Sequence, residues 1–599
     1  MRGRTILVLA ALMIASLLTA AAPAVADGHT DAKLTVVHGI PGVTVDVYVD
    51  GANALPNFEP NTVTDPIPLP SGPHKVEIYV AGEGPAAAAE PVLEADLVLP
   101  PGGNVTAVAH LEEGGALTLS AFLNDTTRPI SGQARLVVRH LADAPAVDII
   151  ANGSLALFED VTNPNEGQVD VPAGTYGVTI NAAGTDTVAF DVGDVTLPEG
   201  TSTIVYAVGS LTGGTFGILV QSIDIPAPAA FGTATVIHGV PDLTVDVYLN
   251  GNLTLPGFAP ESVVGPLLLP ATDYEVAIYA AGANPLATEP AISGMTSLPA
   301  GANASIIANL DASGAPALNV FVNDVSEIAA GEARLVVRHT AAAPAVDIVA
   351  DDTLKLFENV TNPNEGQVDV PADTYGVTIN AAGTDTVAFD AGNVTLPEGQ
   401  STIVYAFGDL GAGTFGLIVQ AIPNLGPDGW FLDDNGNVHE ANINLIAYQG
   451  ITLGTSDTTF SPQDDVTRGQ MAAFIRRALN LPATDTDYFD DDDDSVFEGD
   501  INAIAEAGIT FGTGDREFSP NDTITRGQMA AFLARAFEVP ASSTDAFTDD
   551  DDSIFEDDIN AIAAAGITVG NGPGTYGPDE NVSRAQMATF LARSLGIGS

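Results

Sequence analysis

Val466-Thr467-Arg468-Gly469-Gln470-Met471 is followed by Ile524-Thr525-Arg526-Gly527-Gln528-Met529 and then by Val582-Ser583-Arg584-Ala585-Gln586-Met587. The arginines are evenly spaced (526 − 468 = 58 and 584 − 526 = 58), and Ile443/Ile501/Ile559, Gly450/Gly508/Gly566, Phe460/Phe518/Tyr576 and Pro462/Pro520/Pro578 keep the same period. Self-similarity at a fixed interval marks one supersecondary unit used several times, so function belongs to the assembled array. Each unit reads as helix, loop, helix. Ile501, Ile504 and Ala505 form an apolar stripe at i, i+3 and i+4, and Gly508 is placed to end that helix. After the loop carrying Phe518-Ser519-Pro520, Thr525 with Gln528 makes a capping box, and Ile524 with Met529 a hydrophobic staple across it.

The cap accounts for Thr, Gln and Met but not for the arginine. A cation in the first helical turn faces the positive end of the macrodipole, at a cost of roughly 0.3–1 kcal/mol. Two readings follow. An Arg beside free helix N–H groups is an anion site able to clamp a carboxylate or phosphate. Alternatively, each Arg pairs with a nearby acid, such as Arg526 with Asp522.

Residues from about 430 to 597 resemble three S-layer homology (SLH) repeats, whose hallmark is a Thr-Arg-Ala-Glu-like helix start preceded by a Gly-Ile…Gly…Phe-x-Pro segment. Gly508-Ile509-Thr510-Phe511-Gly512 with Phe518-Ser519-Pro520 matches it, and the other two repeats match likewise. Gln470, Gln528 and Gln586 stand where the family usually has Glu. The resemblance implies an all-α spindle with pseudo-threefold symmetry, built of repeats 430–482, 488–540 and 546–599. Its grooves would bind an anionic secondary cell-wall polymer or peptidoglycan-linked glycan. The residues expected to do so are Thr467, Arg468, Gln470, Thr525, Arg526, Gln528, Ser583, Arg584 and Gln586.

Arg2 and Arg4 precede an apolar run from Ile6 to about Leu18, and Ala24-Val25-Ala26 closes it. Residues 1–26 therefore read as a secretory signal peptide. No later stretch is apolar for the ~20 residues a spanning helix needs, so no membrane insertion is expected after cleavage. The absence of cysteine excludes disulfides, a lipoprotein anchor and thiol catalysis. With 77 acidic and 18 basic residues the formal charge is −59, a field that repels nucleic acid and anionic membranes. Within it, Asp490 to Asp494 and Asp549 to Asp552 are dense carboxylate runs. A solvated acidic loop is the simpler reading, since neither run has the Gly and distal Glu of an EF-hand loop. The alternative is a calcium site at Asp490, Asp492, Asp494, Asp549 and Asp551, because hard cations take clustered oxygen donors. No other cofactor is expected.

A second repeat system occupies the rest of the chain. Leu34-Thr35-Val36-Val37-His38-Gly39 followed by Val43-Thr44-Val45-Asp46-Val47-Tyr48 recurs from near Leu136, Ala234 and Leu335. His38, His140, His238 and His339 align, each with an Asp eight residues on (46 − 38 = 8, 347 − 339 = 8). Val161-Thr162-Asn163-Pro164-Asn165-Glu166-Gly167-Gln168 returns unchanged from Val360, 199 residues later (360 − 161 = 199), so the order is A-B-A′-B′. Short Val/Thr/Ile/Tyr runs separated by Pro, Gly, Asn and Asp predict all-β sandwiches at 32–127, 131–222, 232–327 and 331–422, with a linker at 423–429. These copies are expected to be independent domains in a rod. The His-x-x-Pro…Val-Asp-Val-Tyr pattern resembles the DUF4397 family, which implies extracytoplasmic, immunoglobulin-like modules and supplies no reaction. No recurrent nucleophile or third ligand accompanies the His and Asp, so a buried His bonded to a neighbouring strand, for instance to Asp46, is expected rather than catalysis.

The expected protein is multidomain: four tandem immunoglobulin-like β-sandwiches, then a helical SLH spindle. It would be a non-enzymatic, secreted cell-surface protein of the S-layer type, with β-modules as spacers and lateral contacts to other surface proteins. The alternative is an adhesin or carbohydrate-binding protein whose β-modules capture a partner.

Overall fold

The computed structural model describes residues 32–85, 89–129, 133–226, 230–456, 458–484 and 486–598. The expected signal peptide lies outside the described residues, as do 130–132 and 227–229 at two expected linkers.

From 32 to 422 the described chain is strands and turns, arranged in eight sheets. The segment 133–224 shows the plan. In one sheet Gln133–His140 lies between Glu166–Pro172, antiparallel, and Thr201–Val208, parallel, with Gly217–Asp224 outside. In the other, Val147–Ala151 lies between Leu155–Val161 and Gly174–Ala182, with Val188–Leu197 outside and every pairing antiparallel. The two sheets enclose one apolar cluster that includes Leu136, Val138, Ile149, Ile180 and Val205. The segments 32–123, 231–322 and 332–422 each enclose an equivalent cluster.

All eight residues of Gln133–His140 and of Thr201–Val208 are buried, which one core cannot explain. Side chains alternate between faces along a strand. Leu136 and Val138 face the cluster just described, while Val137, Ile204 and Tyr206 face Val37 and Val108 of the preceding segment. Ile237 and Ile307 meet Val336, Ile403 and Tyr405 in the same way further along. These seams correct the expectation of independent domains for two pairs, because the first segment shares a buried face with the second and the third with the fourth. Their buried charges are paired: Arg139 donates to Glu166, Tyr206 and Asn124 and lies 4.3 Å from the Phe122 ring. Arg338 repeats this with Glu365, Tyr405 and Asn323, 4.4 Å from Phe321. The expected linker is also held, since Leu425 donates to Gly399 and accepts from Ile328.

Six helices follow: α1 (Glu440–Tyr448), α2 (Arg468–Leu479), α3 (Glu498–Glu506), α4 (Arg526–Ala536), α5 (Glu556–Ala564) and α6 (Arg584–Ser594). The expected capping boxes are present at α2, α4 and α6. Helices pair across repeats: α2 packs on α3, α4 on α5, and α6 returns to α1. One core runs through all three repeats and contains Ile443, Ile501 and Ile559 together with Met471, Met529 and Met587. A triangle of backbone hydrogen bonds closes the ring, with Val466 N donating to Val582 O, Val582 N to Ile524 O and Ile524 N to Val466 O, at 2.9, 3.1 and 2.9 Å. Gly512 shows why the hallmark loop needs glycine. Its φ is +79°, and a Cβ there would lie 2.4 Å from the Glu517 carbonyl oxygen.

Candidate functional site

The arginine of each repeat reaches into the next. Arg468, Arg526 and Arg584 are only 4%, 3% and 3% exposed. Their Nε atoms donate to the carbonyls of Phe518, Tyr576 and Phe460 at 2.8, 2.7 and 2.7 Å. Each guanidinium also sits between two rings. Arg468 is 4.6 Å from Phe518 and 5.5 Å from Phe532, Arg526 is 4.5 Å from Tyr576 and 5.6 Å from Phe590, and Arg584 is 4.7 Å from Phe460 and 5.6 Å from Phe474. Burial pulls the Arg468 and Arg584 pKa values down, against the fields of Asp522 and Asp464.

The helix N–H groups are not free, contrary to the anion-site premise. Arg468 N and Gly469 N donate to the Asp522 and Pro520 carbonyls, Arg526 N and Gly527 N to Glu580 and Pro578, and Arg584 N and Ala585 N to Asp464 and Pro462. Ring closure consumes them, because each helix start abuts the following repeat. Thr467, Gln470, Thr525, Gln528, Ser583 and Gln586 are engaged in their caps. No Arg526–Asp522 ion pair forms among the described residues; Asp522 serves Arg468 through its carbonyl. What remains at these nodes is Nη2 of Arg526 and of Arg584, both buried and without a partner.

A second arginine set escaped the sequence reading although it keeps the period (535 − 477 = 58, 593 − 535 = 58). Arg477 and Arg535 are exposed in the last turns of α2 and α4, with Nη1 3.4 and 3.5 Å from the Ile451 and Ile509 carbonyls of the hallmark loop; Arg593 holds the matching place in α6. Beside them Leu453, Phe511 and Val569 are 68%, 75% and 76% exposed. Arg535 lies 5.3 Å from the Phe511 ring. Each repeat thus keeps a cation and an exposed apolar side chain at matching positions of its sequence, and in the second repeat the two are in contact.

The acidic runs resolve differently from their sequence reading. Asp490 pairs with Arg516 at 2.5 Å, Asp549 accepts from Tyr576 N and Gly577 N, and Asp494 is exposed outside either cluster. The carboxylates that converge are Asp487, Asp492 and Asp493 in one loop and Asp545, Asp550 and Asp551 in another. Asp492 and Asp551 are among the five expected ligands and the other four are not, because these loops turn and bring in Asp487 and Asp545 from outside the dense runs. The missed signal is periodic: Asp434, Asp492 and Asp550 are 58 residues apart. All three are fully buried and have no hydrogen-bond partner on either carboxylate oxygen. Burial pushes the Asp434 and Asp492 pKa values up to about 6, with Glu440 and Asp487 respectively adding to the shift.

The histidines and aspartates of the β-region are structural and do not meet as a pair. His38, His140, His238 and His339 donate from Nε2 to the carbonyl five residues on, at 2.8, 2.9, 2.7 and 2.9 Å. Burial lowers their pKa values and keeps them neutral. Asp46 instead accepts Asn57 N and Gly82 N, joining a strand to a turn, and Asp148, Asp246 and Asp347 do the same.

The S-layer homology domain matches residues 433–472, 488–530 and 546–588. DUF4397, a domain of unknown function, matches 32–150 and 232–349. An endoglucanase of Bacillus sp. (strain KSM-635) is 36% identical over 155 residues, covering 24% of this chain and 16% of the relative. S-layer protein EA1 of Bacillus anthracis is 31% identical over 163 residues, covering 26% of this chain and 19% of the relative. The chain therefore spans less than a fifth of the length of these relatives. The solved Bacillus anthracis TIE protein covers 63% of this chain and 72% of its own at 12% identity, and its TM-score of 0.10 establishes no shared fold. The chain carries three S-layer homology domains at its C-terminal end and DUF4397 sequence in its N-terminal region. With its S-layer relatives, this marks a secreted protein attached to the wall at the cell surface.

Proposed function

We propose that the helical ring holds this protein non-covalently to an anionic secondary wall polymer and that the β-region acts as a non-enzymatic spacer. The polymer's acidic groups bind at the inter-repeat nodes of Arg468, Arg526 and Arg584, flanked by their capping residues Thr467, Gln470, Thr525, Gln528, Ser583 and Gln586. The observation that carries this reading is the pair of buried Nη2 atoms on Arg526 and Arg584. A buried donor left unmade costs about 1–3 kcal/mol, which an anionic oxygen would recover. The β-region is read as four immunoglobulin-like sandwiches at 32–127, 131–222, 232–327 and 331–422. Its exposed large apolar side chains are all aliphatic or Met, which supports a spacer over an aromatic sugar platform.

The test is co-sedimentation of the mature chain with purified sacculi, before and after removal of the secondary polymer. Parent binding should require the polymer. Arg526→Gln and Arg584→Gln, assayed at temperatures where circular dichroism shows them folded, should each weaken it by roughly tenfold or more, the worth of a charged hydrogen bond. Undiminished binding by both folded variants would refute the assignment.

A further inference from the structure

We infer that the loops before α3 and α5 are two divalent-cation sites of the calcium class, one in the second repeat and one in the third, with none in the first. In the second repeat carboxylate oxygens of Asp487, Asp492 and Asp493 lie within 4.8 Å of one another, and in the third those of Asp545, Asp550 and Asp551 do the same. Clustered acids alone signify little in so acidic a chain. The independent observation is the state of the central residue. Asp492 and Asp550 are 0% exposed, and neither carboxylate oxygen of either residue has a hydrogen-bond partner.

A carboxylate stripped of water and given no donor is costly to bury unless a cation compensates it. The neighbouring acids do not relieve it. Asp491 and Asp549 turn away to accept the backbone N–H groups of Phe518 and Ser519, and of Tyr576 and Gly577. In the second repeat Arg516 reaches Asp487 only at 3.7 Å and is committed to Asp490 at 2.5 Å. In the third repeat the corresponding position is Gly574, so no cation of the chain stands there (516 + 58 = 574). Three carboxylates around a dry central oxygen pair suit a hard cation that takes six to eight oxygens at about 2.3–2.6 Å and completes its shell with carbonyls and water.

The first repeat supplies the internal contrast. Asp434 is buried and partnerless like Asp492 and Asp550, so the contrast lies in its neighbours: the positions equivalent to Asp487 and Asp493 are Gly429 and Asn435 (487 − 58 = 429, 493 − 58 = 435), which leaves Asp434 without the two flanking carboxylates of the triad. The stoichiometry is thereby set at two ions per chain.

The experiment is equilibrium dialysis of the metal-free mature chain against calcium chloride at physiological salt, with magnesium chloride as comparison and thermal unfolding in parallel. Two saturable calcium ions per chain are expected, with a rise in melting temperature that magnesium does not match. Asp492→Asn and Asp550→Asn should each remove one ion, and the double variant both. Asp434→Asn should keep two. If a buried Asn prevents folding, Asp493→Asn and Asp551→Asn change exposed ligands of the same two sites and should weaken them selectively. Non-saturable uptake insensitive to these substitutions would overturn the proposal, and so would loss of an ion in Asp434→Asn.

Discussion

Replacing Arg526 by Gln tests whether the arginine nodes hold the ring together. The substitution removes a charged hydrogen bond of 2.7 Å to the Tyr576 carbonyl, worth about 1.5–3 kcal/mol. It also removes a guanidinium stacked 4.5 Å from Tyr576 and 5.6 Å from Phe590, worth about 0.5–2 kcal/mol. Against this, it relieves a buried Nη2 without a partner, a saving of about 1–3 kcal/mol. The expected net loss is about 2 kcal/mol, or a fall of roughly 4–8 °C in melting temperature for a helical region of this size. Trp430, the only tryptophan, packs against the helical core and reports its unfolding by fluorescence. A loss below about 0.5 kcal/mol would refute the view that these arginines are inter-repeat ties. It would also restore the simpler expectation that the caps suffice without them.

Thr525→Ala should cost about 1 kcal/mol in the same fluorescence assay, since it removes one half of a capping box. Ile204→Ala, at a fully buried seam position, should destabilise by about 2–5 kcal/mol in denaturant titration; a negligible change would show that the seam is not formed in solution. The four aligned histidines, and His110 with them, have pKa values that burial lowers when folded, so below about pH 6.5 the unfolded chain binds protons that the folded chain refuses. Stability of the β-region should therefore fall as pH drops through that value, and His140→Gln should flatten the slope measured from denaturant midpoints. An unchanged slope would contradict the neutral, carbonyl-bonded histidine.

Much of the helical region was legible because its determinants are local or periodic. Thr525 with Gln528 caps a helix through atoms three residues apart, and the 58-residue spacing announces the repeat before any fold is considered. The arginines were singled out for the same reason, since a cation in the first turn is anomalous on local grounds. Their partners were not legible. Phe518 lies 50 residues from Arg468, and Phe460 lies 124 residues from Arg584, a contact that exists only because the third repeat closes onto the first. The His–Asp interval suggests a pairing, whereas His38 bonds the Val43 carbonyl and Asp46 bonds the amides of Asn57 and Gly82.

By itself, then, the sequence determined the helix–loop–helix unit, its threefold use, the strand-rich N-terminal region and the acidic field, all of which follow from hydrophobic period, cap chemistry and composition. Only the tertiary structure decided that the β-segments share buried seams in two pairs and that the helix-start amides are consumed by ring closure. It alone turned Asp492 and Asp550, rather than their neighbours, into the interior. Strand alternation states which residues share a face but not what that face will meet. An acidic loop likewise does not reveal which carboxylate its turn will carry away from water.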